Sequence, residues 1–157
     1  MASRRRAREY ALQSLFHADL SGVAVTAALN ALWAGMMDGE GIENPRAPES
    51  EEVEFAQRLA FGVQDRREAI DSLIESCSTN WRLVRMPVVD RNILRMAAFE
   101  LMELVDIPAT VTINEAVELA KRFGTAESRA FVNGIVDRMA RQLGRLSRSS
   151  RRRGRDS

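Results

Sequence analysis

The sequence predicts an all-α fold, a single domain of about seven helices, and three observations carry that expectation. Apolar residues recur at helical spacing through most of the chain. No stretch alternates with the period of two that a half-buried strand needs. Turn signals at Ser21-Gly22, Asp38–Glu49, Ile107-Pro108 and Gly124 cut the pattern into helix-length pieces. With 157 residues, 45% of them hydrophobic, the chain can bury one sizeable core.

The first helix turns Ala7, Tyr10, Ala11, Leu15 and Ala18 inward, with Ser3 as its N-cap and Ser21-Gly22 as its stop. A second helix, from about Thr26, puts Leu29, Leu32, Trp33 and Met36 on one side. Residues 38–49, rich in Gly, Pro and acid, read as an exposed loop. One long helix is then expected from Ser50, with Glu51 and Glu52 complementing its dipole. Its inward stripe runs from Val53 through Ala56, Leu59, Ala60, Val63, Ile70 and Leu73 to Ile74.

A short element near Trp81 leads to Pro87, which suits the first turn of a further helix. That helix, "PVVDRNILRMAAFELMELV", is apolar on most of its circumference and is expected at the centre. Thr112 to Glu115 has the spacing of a capping box, and Gly124 ends the helix it would open. The last helix, Ala126 to about Leu143, turns Val132, Ile135, Val136, Met139 and Leu143 inward. The domain is therefore drawn over residues 1–143, and the arginine-rich tail 144–157, poor in apolar residues, is expected to be disordered.

The net charge of +1 conceals a strong asymmetry. Lys121 is the one lysine among 23 cations. Arg4, Arg5, Arg6 and Arg8 crowd the start, and eight arginines fall between Arg138 and Arg155. Both ends favour a polyanionic partner. Cations in a first helical turn face the positive end of the helix dipole, at about 0.3–1 kcal/mol each in low salt. An incoming phosphate reverses the sign of that term, so anion binding accounts for the run better than stability does.

Phe16 projects on the face that carries Arg5 and Leu12, flanked by Arg8 and Glu9. It either packs against a second neighbouring element or offers a stacking surface beside guanidiniums, the combination that readers of single-stranded RNA use. Phe131 lies about a quarter turn off the core stripe of the last helix, toward Gly134 and Arg138. Gly134 in mid-helix costs about 1 kcal/mol relative to Ala, so either a helix packs closely there or a ligand approaches the backbone. Asp90 projects on the apolar side of its helix, near the start, where the dipole or a partner's cation would explain it.

Catalytic chemistry finds little footing. His17 is the one histidine, Cys77 the one cysteine, and no glycine-rich phosphate loop follows a strand, so no enzyme activity, metal or cofactor is expected. A lone cysteine and the lack of any apolar run of membrane-spanning length suit a cytoplasmic protein.

"RRRARE" at Arg4–Glu9, "DRNILRMAAFEL" at Asp90–Leu101, "INEAVELAKRFG" at Ile113–Gly124 and "FVNGIVD" at Phe131–Asp137 together resemble the NusB family of bacterial transcription antitermination factors. The resemblance spans roughly residues 4 to 143. It implies two packed three-helix bundles and a non-enzymatic RNA-binding adaptor that takes the single-stranded boxA element of ribosomal RNA leaders. NusE, also a ribosomal small-subunit protein, would bind with it, and NusA, NusG and RNA polymerase would complete the assembly. The family's arginine motif falls on Arg4, Arg5, Arg6 and Arg8, its RNA-side aromatics on Phe16 and Phe131, and its partner- or RNA-facing acids on Asp90 and Glu127. Arg138 joins the RNA set from its position beside Phe131.

The sequence departs from the family's pattern in three places. Family members commonly carry Tyr where Phe16 stands, the acidic loop is longer than usual, and the arginine tail lacks a clear counterpart. The alternatives are an RNA-binding module linked to ribosomal RNA modification and a purely protein-binding helical homodimer.

Overall fold

The computed structural model describes residues 2–37 and 47–146, which leaves most of the acidic loop (38–46) and the tail from 147 outside the described residues. Among the described residues there are seven α-helices and one 3-10 turn, with no strand. The chain groups into two compact units, Met1–Arg66 and Arg67–Ser157.

The first unit holds α1 (Arg4–Ser21), α2 (Val25–Met37) and α3 (Ser50–Asp65). Ser3 caps α1 as expected, its Oγ accepting the Arg6 amide at 3.2 Å, and Gly22 ends the helix at φ 68°, a left-handed conformation that suits glycine. Ala7, Tyr10, Ala11 and Leu15 are buried. So is Leu12, at 3% exposure, because α1 packs on both α2 and α3 and needs two apolar faces. Tyr10 meets Trp33 edge-on, with ring centroids 5.6 Å apart. Leu29 lies in the core, while Leu32, Trp33 and Met36 are half-buried.

The single long helix expected from Ser50 is broken at Arg66. After Val63 the inward register falls on residues 66 and 67, both exposed arginines, so no apolar face carries the helix onward. The second unit therefore starts with its own helix, α4 (Arg67–Cys77), which buries Ile70, Leu73, Ile74 and Cys77. It continues through the 3-10 turn Leu83–Arg85 to α5 (Val88–Glu103), α6 (Ala109–Phe123) and α7 (Ser128–Gln142).

Helix α5 is central in this unit, buried continuously from Asn92 to Leu101 and packed by α4, α6 and α7. Its polar residues are satisfied internally. Arg95 grips Asp71 of α4 with two bonds, Nε to Oδ1 at 2.9 Å and Nη2 to Oδ2 at 3.3 Å. Pro108 starts α6 a full turn earlier than the capping-box reading expected, since its fixed φ is already suited to the helix entrance. Thr112 is consequently inside the helix, where its hydroxyl donates to the buried Glu100 carboxylate at 3.2 Å.

The ordered fold also runs past residue 143, against expectation. Gly144 adopts φ 72° and turns the chain so that Arg145 reaches back to α5. Its guanidinium donates to the carbonyls of Leu101 and Ile107, both at 2.6 Å, and so satisfies groups at and beyond the end of α5. Arg145→Ala is expected to cost about 1–3 kcal/mol of stability, as charge-assisted bonds to partly buried carbonyls do. Urea denaturation of the full chain checks this, and an unchanged midpoint would contradict it.

Candidate nucleic-acid interface

The first turn of α1 contains three arginines and no acid. Its backbone is held by Glu52 of α3, a carboxylate only 1% exposed. Glu52 Oε2 accepts the Ser3 amide at 2.8 Å and Oε1 accepts the Glu49 amide at 3.0 Å. One buried anion thus receives donors from the starts of two helices, where both dipoles favour negative charge.

The arginines take different positions on that frame. Arg4 and Arg5 are exposed, and Arg6 is half-buried with Nη2 donating to the Tyr10 hydroxyl at 2.6 Å. Arg8 departs from the expected phosphate-facing role. It is 4% exposed, its guanidinium 5.5 Å from the centre of the Phe55 ring. The Arg4 guanidinium lies over the same ring, 4.9 Å from its centre. Such cation–π contacts contribute about 0.5–1 kcal/mol at exposed sites and roughly 2 when desolvated. A cleft of about 320 Å³ opens here, lined by Ser3, Arg4, Glu51, Glu54, Phe55 and Arg58 among others. Phe16, three turns along α1, is half-buried.

In the second unit Phe131 is likewise half-buried on α7. Among the described residues no helix packs against Gly134: a Cβ there would meet only Arg138 Nη2, at 3.9 Å, an ordinary van der Waals contact. The close-packing explanation of this glycine therefore falls away, and the backbone beside Phe131 lies open. Arg138 is exposed, yet its Nη1 donates to the Cys77 carbonyl at 2.7 Å and caps the end of α4.

Asp90 is not on the surface, contrary to its expected role toward a partner. It is 3% exposed and its Oδ1 accepts the Ser128 hydroxyl at 2.7 Å, which ties the start of α5 to the start of α7. Gly124 permits this approach, since a Cβ at that position would lie 2.5 Å from Ser128 Oγ. Glu127, by contrast, is exposed and accepts the Thr125 hydroxyl at 3.2 Å. Sequence reasoning missed Glu52 and Phe55 as parts of the arginine site. Their spacing of three along α3 put them on one helix face, but nothing in the pattern linked that face to α1.

These features define an all-α protein with a cationic helix start fixed to a neighbouring helix. The NusB family model matches residues 5–141. The chain is 48% identical over 140 residues to the transcription antitermination protein NusB of Myxococcus xanthus, covering 89% of this chain and 96% of that one. Its identity to the NusB of Anaeromyxobacter dehalogenans strain 2CP-1 is 45% over 152 residues, covering 96% and 100%. Among solved structures, T. maritima NusB matches with a TM-score of 0.76 at 35% identity, covering 93% of this chain and all of that one. A crystal structure of antitermination factors NusB and NusE in complex with dsRNA matches with a TM-score of 0.74 at 25% identity, covering 88% and 96%. The chain belongs to the NusB family of transcription antitermination factors.

Burial pushes the Asp90 carboxyl above its ordinary value of 3.8, and the Ser128 hydrogen bond opposes that rise. The folded protein therefore holds this proton more tightly than the unfolded chain, and the associated stability, full in acid, is lost as pH rises through the raised value. Asp90→Asn keeps an oxygen acceptor and removes the titration. Relative to this variant, the parent is expected to lose stability from acid to neutral pH in urea denaturation; a constant or opposite difference would contradict it.

Proposed function

We propose that this protein is a non-catalytic adaptor that binds boxA-type single-stranded RNA of ribosomal RNA leaders together with NusE. The observation that carries the reading is the acid-free arginine turn of α1, held in place by Glu52 with Arg4 and Arg5 at the surface. A row of guanidiniums at a helix start is poorly suited to stability alone and well suited to phosphates. The NusB–NusE–dsRNA structure among its relatives supports both partners. We assign a single strand because half-buried Phe16 and Phe131 suit stacking with unpaired bases.

In this mechanism Arg4, Arg5 and Arg6 hold backbone phosphates, while Arg8 braces the site from within. Phe131 stacks a base next to the open backbone at Gly134, and Arg138 offers the phosphate the part of its guanidinium not used at Cys77. Exposed Glu127 serves the protein partner or the RNA, and Asp90 acts by holding α7 in position. NusA, NusG and RNA polymerase complete the assembly in the cytoplasm. No helix among the described residues is long and apolar enough to cross a membrane.

Titrating boxA-type RNA with and without NusE tests the proposal. Arg5→Glu is expected to weaken binding by roughly tenfold or more while leaving helicity intact. Gly134→Ala is expected to raise the melting temperature, as helix propensity favours Ala by about 1 kcal/mol, and yet to weaken RNA binding. RNA affinity that is absent in the parent, or unchanged in Arg5→Glu, would overturn the proposal.

A further inference from the structure

We infer that Phe55 of α3 is a positioning residue for the RNA contact made by the first turn of α1, an inference that rests on the function proposed above. Its ring takes the guanidinium of Arg4 at 4.9 Å and that of Arg8 at 5.5 Å. The guanidinium of exposed Arg4, held over the ring, spends none of its N–H donors on that contact, so a phosphate can accept them. A carboxylate partner would consume those same donors. Glu51 and Glu54 line the cleft with Arg4, yet among the described residues no carboxylate is paired with it. The ring, not an acid, holds this side chain.

The arrangement fixes the arginine turn in two ways from one face of α3. Glu52 secures the backbone through the Ser3 amide, and Phe55, three residues on, secures the side chains. A free arginine has to be ordered when it binds, at a cost in side-chain entropy. Stacked arginines have met part of that cost during folding. Phe55 therefore raises RNA affinity without touching RNA, and does so without adding charge.

That last property separates positioning from direct contact. With the full chain and a labelled boxA-type RNA oligonucleotide, Phe55→Leu is expected to weaken binding roughly fivefold, through lost pre-organisation. The salt dependence should stay at the parent's slope, because every charge remains. Arg4→Gln should lower that slope by about 0.7, the share of one phosphate contact on a single strand. Phe55→Tyr keeps the ring and should bind within about twofold of the parent. In the Arg4→Gln background, Phe55→Leu should weaken binding by clearly less than it does alone, since one of its two stacked partners is gone.

Circular dichroism establishes that each variant is folded at the assay temperature, and Phe55→Met, which fills more of the ring's volume, is the substitute should Leu loosen the core. Parent-like RNA affinity in folded Phe55→Leu or Phe55→Met, an equal loss in Phe55→Tyr, or full additivity with Arg4→Gln would overturn the inference. Loss of binding in Arg5→Glu alongside parent-like Phe55→Leu would overturn it while leaving the proposed function standing. Parent-like binding by Arg5→Glu would overturn the function itself.

Discussion

The buried carboxylate of Glu52 is the contact on which the first unit depends. Burying a charge is costly unless it is hydrogen-bonded, and here the Ser3 and Glu49 amides both donate to it. Both donors sit at helix starts, so two dipoles stabilise the same anion. The arginines of α1 work against that dipole, and the nearby Glu52 charge offsets part of the repulsion. With the backbone held in this way, Phe55 can take Arg4 and Arg8 on its ring, while Arg5 stays exposed. A helix start that would fray under its own charge becomes a defined cationic surface.

The second unit reaches definition by another route. Helix α5 is enclosed by its neighbours, so its polar residues must find partners within the protein. Arg95 with Asp71 links it to α4, Glu100 with Thr112 to α6, and Asp90 with Ser128 to α7. Each link sets the position of one surrounding helix, and Arg145 closes the loop that follows α5. These contacts place α7 so that Phe131 and Gly134 lie toward the outside. The polar residues inside this unit position the surface residues that the proposed RNA contact needs.

Much of the fold was legible because it rests on local periodicity. The all-α class, the Ser3 cap, the Gly22 stop and the central place of α5 all follow from spacing and end signals. What escaped was set by contacts remote in sequence. Arg8 lies on the polar-looking side of α1, and only the arrival of Phe55 makes that side an interior. The place of Asp90 on the apolar side of its helix was legible, but Ser128 could not be placed next to it from sequence. The break at Arg66 was present in the pattern, as two arginines in the inward register, but continuous helix propensity on either side masked it. The arginines themselves were legible as a site. Their division into exposed and braced members was not.

The central claim is that RNA contacts each unit, at the arginine turn of α1 in the first and at Phe131 of α7 in the second. Photo-crosslinking of boxA-type RNA carrying 4-thiouridine, in the presence of NusE and read out by peptide mass spectrometry, tests it most directly. The account predicts cross-links in the α1 peptide containing Phe16 and in the α7 peptide containing Phe131. Cross-links confined to the arginine-rich segment 147–157, with none in α1 or α7, would contradict it.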